Sequence, residues 1–198
     1  FWPDSALEQA RSSLRSALHQ VRGVLKEVAG EEVAQKLVRS RKTGSVYFEC
    51  EVELDVAKLD RYLKAGSEHY LRQEYAQAAE QLSLGVELYQ ADFLESFRED
   101  WTDLPRDQSR ERAIDASHLL ALSFNAQQLG EKAEEAARNG LAKDGLREEL
   151  HMDLMEAYLT QGRKAEALRH YKRTIAQFEK ELSIYPRSFD SIFPRLVI

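Results

Sequence analysis

Between Ser5 and Val28, apolar residues recur every three or four positions: Leu7, Ala10, Leu14, Ala17, Leu18, Val21 and Leu25. That spacing predicts an amphipathic helix with one apolar face. Pro3 with Asp4 or Ser5 supplies a helix start, and Gly30 an exit. Leu37-Val38-Arg39 and Ser45-Val46-Tyr47-Phe48 then predict two short strands, joined by a turn over Arg41-Lys42-Thr43-Gly44. From Asp55 onward the pattern is helical to the C-terminus. Breaks are predicted at Gly66, around residues 89–92, and at Pro105, Gly130, Gly145, Gly162 and Pro186. Helices of roughly 10–20 residues with short connections predict antiparallel helix pairs.

A repeat runs through this helical part. Its clearest copy is AYLTQGRKAEALRHY, Ala157 to Tyr171. The order is Ala-Tyr, a glycine, an alanine five residues later and an aromatic four further on, which resembles the tetratricopeptide pattern. Gly162 and Ala167 are small enough to let two helices close up, and Tyr158 and Tyr171 fill the space between pairs. A looser copy runs from Gly66 through Tyr75 and Ala78 to Leu82. Another surrounds Gly130, with its alanines displaced by one residue. Gly130 and Gly162 lie 32 residues apart, near the repeat period of about 34. A non-repeating helical bundle is the alternative.

Composition narrows the class. The hydrophobic fraction of 43% is that of a water-soluble globular domain. The longest apolar runs, such as Leu119-Leu120-Ala121-Leu122, fall far short of the roughly 20 residues that span a bilayer. No secretion leader is visible, and the one cysteine, Cys50, cannot form an intrachain disulfide. The expected compartment is the reducing cytoplasm. Net charge is −6, unevenly placed: residues 1–48 carry 8 Lys/Arg against 5 Asp/Glu, and residues 49–198 carry 20 against 29. Scatter explains this asymmetry as well as function does. Phe1-Trp2-Pro3, without an initiator methionine, is expected for a cut through a longer protein.

Two stretches are more specific: LYQADFLESFREDW, Leu88 to Trp101, and LREELHMDLMEAYLTQGRKAEALRHY, Leu146 to Tyr171, the latter followed by EKELSIYPRSF, Glu179 to Phe189. Together they resemble the bacterial transcriptional activator domain of the Streptomyces antibiotic regulatory protein family and related multidomain regulators, over residues 55 to 189. Ala91 departs from that pattern, which usually has glycine there, and so does Lys143-Asp144-Gly145, where Asp-Pro is common. The resemblance implies an OmpR-like winged helix directly before the helical domain. FWPDSALEQARSSLRSALHQVRGVL resembles its turn and recognition helix, LVRSRKTGSVYFE its wing hairpin, and ECEVELDV the link. This is about half of such a module; the leading sheet and earlier helices are expected upstream of Phe1.

The expected architecture is therefore mainly α: a tetratricopeptide-like array of antiparallel helix pairs over residues 55–198, preceded over residues 1–54 by a partial winged helix with a small β-hairpin. In the first helix, Leu7, Leu14, Ala17, Leu18, Val21 and Leu25 are expected to be buried. The opposite face offers Arg11, Ser12, Arg15, Ser16, His19 and Arg22. Arginine can fork onto guanine, and serine and histidine can meet bases or phosphates. The resemblance implies that this face enters a major groove and that Arg39, Arg41 and Lys42 of the wing touch phosphates or the minor groove. A solvated amphipathic face and a charged turn are the plainer readings.

Phe93, Trp101, Tyr70, Tyr75, Tyr89, Tyr158 and Tyr171 are expected to be packing residues. His19, His69, His118, His151 and His170 form no HExxH set, and no phosphate-cradling or GxSxG motif is present. No metal, cofactor or catalytic residue is expected, and no enzyme activity. The expected function is a DNA-binding transcriptional activator. Its partners would be double-stranded promoter DNA and, through the helical domain, the transcription machinery, another protein or a second copy of the chain; no membrane is involved. The rival is a tetratricopeptide-type interaction or effector-sensing module that does not itself bind DNA.

Overall fold

The computed structural model describes residues 4–40, 46–48 and 53–197. The turn expected at Arg41-Lys42-Thr43-Gly44, and Cys50, lie outside those residues. The chain divides into two compact units, Phe1–Glu53 and Leu54–Ile198.

The first unit contains helix α1 (Leu7–Ala29), helix α2 (Glu31–Leu37) and strands β1 (Val38–Ser40) and β2 (Val46–Phe48). Gly30 separates the two helices at φ +87°, a conformation that favours glycine, and its N–H bonds Lys26 O at 3.0 Å. Lys26 also pairs with Glu31, whose carboxyl is held below the usual carboxylate range by that bond. Strands β1 and β2 pair antiparallel, with Val38 opposite Phe48, Arg39 opposite Tyr47 and Ser40 opposite Val46. Among the side chains described in this unit, Ala34 alone is buried.

The second unit is helical. It comprises α3 (Asp55–Leu71), α4 (Tyr75–Leu88), α5 (Asp103–Ala126), α6 (Gly130–Leu141), α7 (Glu148–Thr160), α8 (Lys164–Leu182) and α9 (Phe193–Val197). Short 3-10 turns at Asp100–Thr102 and Arg187–Ser191 precede α5 and α9. Each helix from α3 to α8 packs on the next, and α5 also touches α3 and α7. The chain is thus mainly α, as its periodicity predicts.

Three of the connections share one construction. Residues 72–74, 127–129 and 161–163 join α3 to α4, α5 to α6 and α7 to α8. The middle residue of each lies in the left-handed region: Gln73 at φ 61°, Gln128 at φ 59° and Gly162 at φ 71°. Its N–H bonds the carbonyl three residues back (Tyr70, Asn125, Leu159), and the next N–H bonds the carbonyl five back (His69, Phe124, Tyr158). These are the paired bonds of a Schellman cap. Five residues past each left-handed position stands an alanine with no exposed surface: Ala78, Ala133 and Ala167. Four further on come Leu82, Ala137 and Tyr171, all buried.

The repeat register therefore differs from the one that glycine spacing predicts. Gln128, not Gly130, matches Gly162, and their separation is 34 residues rather than 32. Gly66 is no break. It lies buried within α3, and a Cβ there would meet Leu82 Cγ at 2.4 Å, so its role is helix–helix approach. Pro105 also breaks nothing. It is the third residue of α5, where the missing N–H has no partner in the helix anyway.

Candidate nucleic-acid interface

Helix α1 carries the expected two faces. At about 100° per residue, Arg11, Arg15 and Arg22 fall within roughly 40° of one another, and Ser12, Ser16 and His19 extend the arc to roughly 140°. Arg11, Ser12, Arg15, Ser16 and His19 are exposed, and Arg22 is half-buried. Arg39 lies in β1 opposite Tyr47. Arg41 and Lys42 lie outside the described residues. The structure thus aligns six of the nine expected contact residues on one helix.

The opposite face departs from expectation, because α1 has no buried residue. Leu14, Ala17, Leu18 and Leu25 are half-buried, whereas Leu7 is 67% and Val21 43% exposed. Val24 and Val28 extend this uncovered stripe. The described residues do not supply the hydrophobic bed that a helix of this pattern calls for.

In the second unit, the segment between α4 and α5 is held by two arginines that inspection of the sequence passes over. Asp92 accepts hydrogen bonds from the Tyr89 hydroxyl and from Arg110, whose Nε reaches it at 3.1 Å. The Arg110 bond holds the Asp92 carboxyl below its usual range. Burial, together with the bond to Asp92, pushes the Tyr89 hydroxyl up to about 12. Arg106 donates to three backbone carbonyls of the segment, Phe93 at 3.1 Å, Leu94 at 3.2 Å and Phe97 at 2.9 Å, and to Thr102 Oγ1 at 2.9 Å. The arginine tail therefore stands in for the backbone partners that an irregular segment lacks. The expectation that Trp101 is a core anchor fails: it is 44% exposed. Phe93 is half-buried, and it is Thr102 that is enclosed. Ala91 adopts no positive φ, so the glycine usual at that position is not required by this backbone.

Sequence inspection also misses the polar groups inside the array. His118 Nδ1 lies 2.6 Å from Asp153 Oδ2, tying α5 to α7. Burial, with Glu149 and Glu156 adding to it, pushes the Asp153 carboxyl up, tempered by His118. Burial opposes charge on His118, but Asp153, Glu149 and Asp115 together raise its pKa. Asn125 Nδ2 donates to Asp153 O at 3.1 Å. Further along, His151 Nδ1 and His170 Nε2 are 3.0 Å apart, and His151 Nε2 meets Gly145 O at 3.0 Å. Burial holds His151 below the usual histidine range and pushes His170 down to about 4, so both are neutral near pH 7. No group of three or more metal-ligating side chains converges among the described residues. Among them, too, no helix is long and apolar enough to cross a membrane.

Comparison with known proteins sets these features in a family. A search of curated proteins finds no match. One solved structure with the same fold is Mycobacterium tuberculosis EmbR, described as in complex with a low affinity phosphopeptide. It aligns with a TM-score of 0.81 over 98% of this chain, at 19% identity. This chain spans 52% of that one. The family model for the bacterial transcriptional activator domain matches residues 54–189, which takes in the Asp92 segment, the three capped turns and both histidine pairs. The chain belongs to the bacterial transcriptional activator domain family.

Proposed function

We propose that the intact protein is a DNA-binding transcriptional activator in which residues 1–54 form the C-terminal part of a winged-helix reader. Helix α1 is its recognition helix, and β1 and β2 are its wing. The observation that carries this reading is the division of α1 into an exposed Arg/Ser/His arc and an uncovered apolar stripe. Exposed valines and leucines gain an isolated helix nothing; the rest of a DNA-binding module would give them cover. Membership of the activator-domain family supports the same reading. Such a protein acts in the cytoplasm.

The test is a gel-shift titration of the intact protein on its own promoter region, repeated at several salt concentrations. Binding should weaken steeply as salt rises, because phosphate contacts release counterions. Arg15→Ala should cost about 1–3 kcal/mol if the side chain reads a base. Salt-independent binding, or Arg15→Ala indistinguishable from the parent, overturns the assignment.

The helical unit then mediates self-association or contacts with partner proteins. A second reading, an interaction module that never touches DNA, is favoured by the excess of Asp/Glu over Lys/Arg after residue 49. The phosphopeptide complex described for the structural neighbour also fits a protein-binding role. Protein partners captured by the helical unit, with no DNA shift by the intact protein, would favour that second reading.

A further inference from the structure

We infer that the outward face of α8 is a docking surface for the phosphate backbone of duplex DNA. The helix turns Ala167, Tyr171, Thr174 and Phe178 inward, where all four are buried. That register leaves Ala165, Arg169, Lys172, Arg173, Ala176 and Lys180 outside, and each is exposed. At about 100° per residue the four cations fall within an arc of roughly 100°, and about 16 Å of helix separates Arg169 from Lys180.

These cations keep their charge for a partner. Among the described residues, Arg169, Lys172, Arg173 and Lys180 make no ion pair and no side-chain hydrogen bond. Nearby Arg138 and Arg163, by contrast, are both bound to Glu134. Two carboxylates border the arc. Glu166 is taken up by Arg163 at 2.5 Å, and Glu179 lies just beyond Lys172 around the helix. The positive field reaches the interior. His170 is pushed down to about 4 by burial and by His151, and the two charged side chains that add to the effect, Arg173 and Arg138, are both cationic. The concentration of positive charge is local, since residues 49–198 as a whole carry 29 Asp/Glu against 20 Lys/Arg.

The composition of the face selects the occupant. A protein partner is held by apolar anchors, and the apolar side chains within the arc are the methyls of Ala165 and Ala176. A membrane surface calls for large apolar side chains beside the cations. A single strand calls for exposed aromatic rings on which bases stack, and the rings of α8, Tyr171 and Phe178, are buried. Arginines, lysines and alanines fill the arc, without an amide or hydroxyl to meet base edges. What suits a bare row of cations is a rigid row of phosphates. One strand of a duplex carries a phosphate about every 3.4 Å along the axis, so a row of about 16 Å runs past roughly five of them. The contact is independent of base sequence, and it does not depend on α1 reading DNA.

The experiment is fluorescence anisotropy of a labelled duplex of scrambled sequence, about 20 base pairs long, titrated with the 198-residue protein between about 50 and 200 mM salt. Arg169→Gln, Lys172→Gln, Arg173→Gln and Lys180→Gln should each make the slope of log affinity against log salt shallower by about 0.9. The four together should remove about 3.6 from it, about a 150-fold difference in salt sensitivity over that range. Should the combined variant unfold, the single variants decide. Lys64→Gln, the same charge change at an exposed site on α3, should leave the slope where it is. The α8 changes should act equally in an Arg15→Ala background, which separates this surface from any failure of α1 to read DNA. Slopes unmoved by the α8 changes overturn the inference, as does an equal effect of Lys64→Gln or a lack of binding at the lowest salt. An acidic peptide of equal charge that competes as well as the duplex would assign the face to a protein partner and overturn it too.

Discussion

A glutamine held at φ near +60° meets a steric penalty that glycine does not. Gln73 and Gln128 accept it because each turn returns two backbone bonds. Gln73→Gly and Gln128→Gly should each raise stability by about 0.5–1 kcal/mol, and Gly162→Ala should lower it by about 1 kcal/mol, all readable from thermal melts. The buried imidazoles give a pH dependence of fixed sign. The pKa of His170 falls from about 6.5 in the unfolded chain to about 4 in the folded one. The unfolded state therefore binds more protons between those values. The stabilisation that neutral His170 permits is complete above about pH 6.5 and drains away as pH falls toward 4. The expected loss by pH 5 is about 2 kcal/mol in urea melts, and His170→Leu should flatten that slope. His118, whose pKa is raised, works the other way: its contribution is full below the unfolded value and is lost as pH rises through the folded one. None of these charge effects is legible in the sequence. His118 and Asp153 stand 35 positions apart, and only the packing of α5 on α7 brings them together.

Elements were far more legible than their side chains. The 3.6-residue period placed α1 and the helices of the second unit, because amphipathic burial is written into spacing. Glycine proved an uneven guide to where helices end: Gly30 and Gly162 mark breaks, whereas Gly66 does not. Gly66 and Gly140 lie inside helices, where a Cβ would meet Leu82 at 2.4 Å and Leu150 at 2.5 Å. Gly140→Ala should therefore cost about 1–3 kcal/mol through overpacking, measurable by chemical denaturation. Conversely two of the three tight turns use glutamine, so their signature is a bond pattern that composition does not reveal. The segment between α4 and α5 owes its order to Arg106, which supplies partners for Phe93, Leu94 and Phe97 carbonyls. Arg106→Ala should leave those carbonyls unpaired and speed amide exchange across residues 93–102 while α7 and α8 stay protected. A uniform loss of protection across the second unit would contradict that local role.

At the scale of the whole chain, the two units differ in how much surface they enclose. The second buries an alanine- and leucine-rich seam from Leu59 to Leu196, while α1 of the first encloses no side chain. Amides of α1 should exchange with deuterium at least about tenfold faster than those of α5 and α7, since few buried contacts oppose local opening. The apolar stripe of α1 was visible in the sequence as a face that seeks burial. The uncovered stripe could not be anticipated, because periodicity says that a face seeks cover without saying who provides it. The recurring cap has an engineering consequence. Its geometry is set by two main-chain bonds and one left-handed residue, so the joints should be interchangeable parts: 161–163 grafted in place of 127–129 ought to leave the hinge between its helices intact. The fillings beside them, leucine, alanine and tyrosine at matching places, differ in volume, so transplanting a whole hairpin would jam or hollow the seam where transplanting a joint would not.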